Sequence, residues 1–211
     1  MNSIATREAA WQLLTEFTQS ESLRKHALAV EACMRACAKK FAAENNAGAA
    51  LGLSAEDLWG IVGLIHDFDY DRYPSLDDHP YKGNAILKER GWPEVISRAV
   101  MSHAEYTRVA RDSQIEKALF ACDELAGFIT AVALIKPSKS LADVDVKSVR
   151  KRMKDKAFAR KVNRDDIING AASLGVDLDE HIACCIEALK PVAAELGLDG
   201  SAAKPPDQIA G

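Results

Sequence analysis

Apolar residues recur at i, i+3 and i+4 almost throughout this chain, and no stretch sustains the period-two alternation of Val, Ile, Thr and aromatic side chains that a half-buried strand needs. That periodicity confines the fold to the all-α class, a single-domain bundle of helices whose apolar stripes must be buried against one another. The spacing predicts a long helix over SLRKHALAVEACMRACAKKFAAE, capped by Ser22 and ended by Asn46 and Gly48, with Leu23, Ala27, Val30, Met34 and Cys37 or Ala38 on one face. Ser54, with Asp57 three residues on, opens SAEDLWGIVGLIHD, a segment apolar on most sides and so central, and His66-Asp67 falls at its C-terminal end.

Pro74 and Ser75-Leu76-Asp77-Asp78 mark a loop, His79-Pro80 starts a helix running to Glu89 before Gly91, and Pro93 starts EVISRAVMSHAEY. From Gln114 to Lys136 one long buried helix is predicted, its apolar middle interrupted by Asp123-Glu124, with Pro137 as its stop. Two shorter pieces around Val146 to Phe158, then DDIINGAASLG and LDEHIACCIEALKPVAAELG, complete the helical set, and there are no internal repeats.

A chain of 211 residues is long enough for one sizeable core, and its 48% apolar and 27% charged residues are ordinary for a folded domain. One domain over residues 1–199 is expected, with C-terminal helices over about 145–197 and a disordered tail over 200–211, GSAAKPPDQIAG. The net charge of −4 argues against a nucleic-acid binder, although Lys136 to Arg164 holds eleven Lys or Arg against three Asp. Val146, Val149, Met153 and Phe158 recur at helical spacing within that run, which reads as a solvated helix face. With no basic leader before an apolar core and no run long enough to span a bilayer, a cytoplasmic protein with no membrane partner is expected; the many apolar helices leave a homodimer open. The five cysteines form no CxxC pair and read as reduced, small core residues; His181 lacks polar context and reads as a helix-surface residue.

Five histidines in all make their placement informative. His26 lies mid-helix, His66-Asp67 at a helix end, His79 at a helix start, His103 near a helix end, and Asp123 inside a buried helix. Imidazole nitrogens and carboxylate oxygens together suit first-row cations such as Fe, Mn, Co, Ni or Zn, and an ionised Asp123 on an apolar helix is costly unless it meets a cation.

The order His, His-Asp, Asp resembles the HD-domain superfamily, largely helical metal-dependent phosphohydrolases, with His26, His66-Asp67 and Asp123 at the matching positions. His79 in HPYKG and His103 in AVMSHAEY extend the resemblance to the HDIG-type subgroup, over about residues 20–135. It implies one or two divalent transition metals held by His26, His66, Asp67, His79, His103 and Asp123, with Asp67 bridging. The chain departs from His-Asp-Ile-Gly-Lys: it has His66-Asp67-Phe68-Asp69-Tyr70, so the lysine near the phosphate in relatives is missing.

A metal-activated water attacking a phosphoester needs no protein nucleophile, and no G-x-S-x-G or phosphate-binding G-x-x-x-x-G-K-[ST] is present. The expected activity is a phosphohydrolase acting on a small phosphorylated metabolite or nucleotide, with Asp67 at its centre. Arg72 ranks first as a substrate contact, ahead of Arg24, Lys25, Lys82, Lys136 and Lys139. Asp69, Asp71, Asp77 and Asp78 read as turn caps, and Glu105 and Glu124 as groups orienting ligand histidines. Two alternatives are a diiron oxygenase built on the same six ligands and a non-catalytic regulatory module stabilised by metal.

Overall fold

The computed structural model describes residues 4–42 and 48–203, and every regular element among them is helical. Helix α1 (Arg7–Phe17) leads into α2 (Glu21–Phe41), the spine against which α3 (Ala55–Ile65) packs. The cap of α2 is Ser20, not Ser22: its hydroxyl accepts from Leu23 N, while the Asp71 carboxylate holds the amides of Gln19 and Ser20 and fixes the chain's entry to the helix. Ala27, Val30, Met34, Cys37 and Ala38 are buried as expected and Leu23 only half so. The helix ends at Phe41; Asn46 lies outside the described residues, and Gly48 opens a 3-10 turn over Ala49–Leu51.

Helix α3 starts as the sequence predicts, Ser54 Oγ accepting from Asp57 N at 3.0 Å, and buries every side chain from Leu58 to Ile65. It lies so close to α2 that a Cβ on Gly63 would stand 2.9 Å from both Val30 O and Met34 Cγ, so only glycine lets the two backbones meet. Burying Ile61, Leu64 or Ile65 completely stabilises the fold by roughly 1.5–3 kcal/mol each. This seam fixes where α3 ends, and hence where His66 and Asp67 sit.

After α4 (Tyr81–Glu89) and α5 (Glu94–Ser102) comes α6 (Gln114–Leu134), which lies between α2 and α8 (Arg164–Leu174). Ser113 and Glu116 cap it reciprocally. It stops short of Lys136, because the residue before Pro137 is driven from helical backbone. Helix α7 (Val146–Met153) also ends before the predicted Phe158. There the Asp155 carboxylate takes the amides of Ala157 and Phe158, and the Arg164 guanidinium gathers the carbonyls of Phe158, Ala159 and Val162, so side chains replace the helical ladder.

Helix α9 (Leu178–Leu189) packs on α2, and after the 3-10 turn Lys190–Val192 the short α10 (Ala193–Leu196) returns to it. Leu141 N donates to Leu198 O at 2.9 Å, tying the C-terminal segment back to the bundle. Of the expected tail, residues 200–203 form a turn and 204–211 lie outside the described residues. No helix among the described residues is long and apolar enough to cross a membrane.

Candidate metal centre

The structure brings all six predicted ligands together at one end of the α2–α3–α6 core. His26 comes from the second turn of α2, His66 and Asp67 from the C-terminal end of α3, His79 from the entry to α4, His103 from the end of α5, and Asp123 from the middle of α6. His26 Nε2 and His66 Nε2 lie 3.0 and 3.3 Å from Asp123 Oδ1, and His66 Nε2 is 3.6 Å from Asp67 Oδ2. The other oxygen, Asp67 Oδ1, faces His79 Nε2 at 3.2 Å and His103 Nε2 at 3.1 Å. Asp67 therefore belongs to two groups of possible ligands, one with His26 and His66 and one with His79 and His103.

The far nitrogen of three rings settles which lone pairs face inward. Nδ1–H of His66 donates to Gly63 O at 2.8 Å, that of His103 to Val100 O at 2.5 Å, and that of His79 to Asp69 Oδ1 at 2.8 Å. A proton held on Nδ1 leaves Nε2 with a lone pair aimed at the carboxylates. Consistent with that, His66 Nε2 and Asp67 Oδ1 are buried with no hydrogen-bond partner despite their short separations. Nitrogen and oxygen lone pairs converging in a buried place repel unless a cation or an added proton lies between them, so this donor set fits a metal ion.

Without a cation the cluster recruits protons. Burial pushes His66 down, but the charges of Asp67 and Asp123 override it and lift the ring to about 9. Burial is likewise overcome at His79, which its bonds to Asp67 and Asp69 raise to about 9. Burial opposes both anions, yet the His66 charge and the neighbouring rings hold Asp67 and Asp123 well below the usual carboxylate range. At Glu124, burial and the charge of Asp123 act together and push the carboxyl up to about 7.

Asp69 is the group that sequence reasoning missed, having read it as a turn cap. It is fully buried and accepts both from His79 Nδ1 and, through Oδ2, from Gly83 N at 2.8 Å. A Cβ on residue 83 would come within 2.6 Å of the Asp69 carboxyl carbon, so the glycine of HPYKG is what admits the carboxylate. The available signal was this aspartate beside the buried Phe68, followed by that glycine.

Arg72, the sequence's first choice for a substrate contact, does not face the centre. Its guanidinium donates to Glu16 O at 2.9 Å and lies over the Phe17 ring, 4.2 Å from the centroid, because the turn after Asp69 points it back to α1. Arg24 is bound to Thr18 O, Lys82 to Asp78 and Lys25 to Glu21, and Lys136 lines a separate hollow. Glu105 pairs with Arg111 rather than with a histidine.

A cavity of about 590 Å³ opens over the centre. Tyr70, Tyr106, Lys161 and Asn163 stand at its wall with Glu124 and Asp166, and Tyr106 also donates to His79 O at 2.7 Å. Most of the basic run is solvent-exposed as expected, and Lys161, exposed too, also stands at the cavity, where the turn that cuts α7 short swings it. The chain matches no family model, no curated protein and no solved structure.

Proposed function

We propose that this protein is a metal-dependent phosphohydrolase of the HD type, acting on a small phosphorylated metabolite or nucleotide. What carries the reading is Asp67, whose Oδ1 faces His79 and His103 and whose Oδ2 faces His66 beneath an open cavity, an arrangement suited to two neighbouring cations. Divalent transition-metal ions held there would lower the pKa of a bound water toward neutrality and balance charge on phosphoryl oxygens.

The chain's own groups supply the rest. His66, His79 and His103 keep their lone pairs inward through their Nδ1 bonds. Asp67 holds the two groups in register, and Lys161 and Asn163 offer a cation and an amide to a phosphate at the cavity wall. Tyr70 and Tyr106, half exposed, narrow the mouth and give a flat surface for a base or sugar.

One observation favours a second reading, an HD-type diiron oxygenase. Glu105, Glu124 and Asp166 share the wall with Lys161, and three carboxyls against one cation receive a polyanion poorly. The deciding experiment loads the metal-free chain with manganese, cobalt or iron and presents monoesters, diesters and nucleotides with and without oxygen. Oxygen-independent phosphate release that disappears in Asp67→Asn supports the hydrolase. Two irons per chain, no phosphate release and oxygen-dependent turnover would replace it with the oxygenase.

A further inference from the structure

Behind the His/Asp centre, on the other side of α6, lies a second convergence of metal-seeking atoms. Cys37 of α2, Cys122 of α6, and His181 and Cys185 of α9 meet in the core, and all four are buried. Cys37 Sγ is 3.5 Å from Cys122 Sγ, Cys185 Sγ is 3.9 Å from His181 Nε2, and ligand atoms of Cys122, His181 and Cys185 all lie within 4.8 Å of one another. His181, expected on a helix surface, is 2% exposed, and its Nε2 lies 3.0 Å from Ala121 O.

We propose that Cys37, Cys122, Cys185 and His181 form a second metal site that takes one thiophilic cation, Zn²⁺ in the first instance, and joins α2, α6 and α9. Tetrahedral zinc, with Zn–S near 2.3 Å and Zn–N near 2.0–2.1 Å, places its sulfurs about 3.8 Å apart and sulfur and nitrogen about 3.5 Å apart. The Cys37–Cys122 and Cys185–His181 separations of 3.5 and 3.9 Å are within a few tenths of an ångström of those values, while Cys37 stands outside the trio of Cys122, His181 and Cys185 and would move inward to complete the shell. The donors are soft where those of the His/Asp centre are hard or borderline, so the two sites select different ions.

Packing alone explains this cluster less well. Small apolar side chains would fill the space without placing an imidazole among sulfurs, and a cation would take the place of the bond that His181 Nε2 makes to Ala121 O. On binding, each ligating thiol gives its proton to solvent and the His181 Nε2 proton leaves, so the cation replaces protons with no change in oxidation state.

The site is separable from the first. Cys122 and Asp123 are successive residues of α6, and successive side chains diverge by about 100° around a helix, so they face different neighbours. The test uses the reduced full-length chain, stripped of metal and titrated with Co²⁺ and then Zn²⁺. A thiolate-to-cobalt charge-transfer band in the near ultraviolet should saturate at one ion per chain, persist in Asp67→Ala and in the neighbouring Cys184→Ser, and vanish on zinc addition and in Cys185→Ser. Zinc should raise the unfolding midpoint of Asp67→Ala. A wild-type spectrum limited to the weak bands of nitrogen and oxygen ligands would overturn the proposal, as would a Cys37–Cys122 disulfide in the protein as purified without reductant. The wild-type spectrum decides the matter even where Cys185→Ser fails to fold.

Discussion

Asp69 shows how much a single residue outside the ligand set can govern. Its carboxylate takes the Nδ1 proton of His79 and the amide of Gly83, so it fixes both the tautomer and the direction of one ligand ring. Asparagine keeps the shape but can satisfy only one of these donors, since its other end is itself a donor. Asp69→Asn should therefore weaken cation binding by the Asp67, His79 and His103 group about tenfold or more, leaving the His26, His66 and Asp123 group near its wild-type affinity. Calorimetric titration that resolves two binding steps would show one shifted and one unchanged. Gly83→Ala should produce the same selective loss by pushing the carboxylate aside. The ligands were legible in the sequence because their order is distinctive and histidine is scarce. Asp69 was not, because its role depends on a glycine fourteen residues later that becomes its neighbour only once α4 has docked.

Elements were legible where one local signal decides them. Ser54 and Pro93 set helix starts that the structure reproduces, α6 starts at Gln114 as its periodicity predicts, and α3 is buried on nearly all sides as its composition requires. The failures come from distant partners. Asp71 moves the start of α2 from Ser22 to Ser20, and Asp155 with Arg164 ends α7 early and carries Lys161 to the cavity. A similar long-range device joins the first three helices. Buried Glu31 of α2 receives Arg7 of α1 at 2.7 Å and Arg35 at 3.0 Å, and Arg35 continues to Asp57 of α3 at 3.0 Å. Glu31→Ala leaves both guanidiniums without their shared acceptor and should cost about 2 kcal/mol, since hydrogen bonds to charged groups contribute roughly 1.5–3 kcal/mol each and the half-exposed Arg7 recovers some hydration. Urea unfolding should show a lower midpoint with an unchanged slope; an unchanged midpoint would mean that packing alone holds α1.

For the whole molecule, the cation cluster couples stability to pH. In the metal-free chain His66 and His79 sit at about 9, above their unfolded value of about 6.5, so their contribution is complete below about pH 6.5 and is lost as pH rises through 9. Asp67 and Asp123 are depressed, so theirs is present above about pH 4 and lost in acid. The metal-free chain should be most stable between those limits. Cations take the place of the histidine protons, so the difference in melting temperature between loaded and chelated protein should widen steadily from pH 6.5 to 9. A constant difference would show that the rings carry no extra protons when the metal is removed. The all-α class was readable throughout from periodicity, whereas the burial of His181 was not, because α9 alone gives no sign that its histidine meets a carbonyl of α6.

The order of the ligands along the chain also has a temporal meaning. The group built on Asp67, His79 and His103 lies wholly within residues 67–103, whereas His26 and His66 also face Asp123 of α6, which comes later in the chain. A growing polypeptide leaves the ribosome N-terminus first, so the residues of the former emerge before those of α6. A cation captured at that stage would gather α3, α4 and α5 into a nascent half-site, onto which the later helix closes.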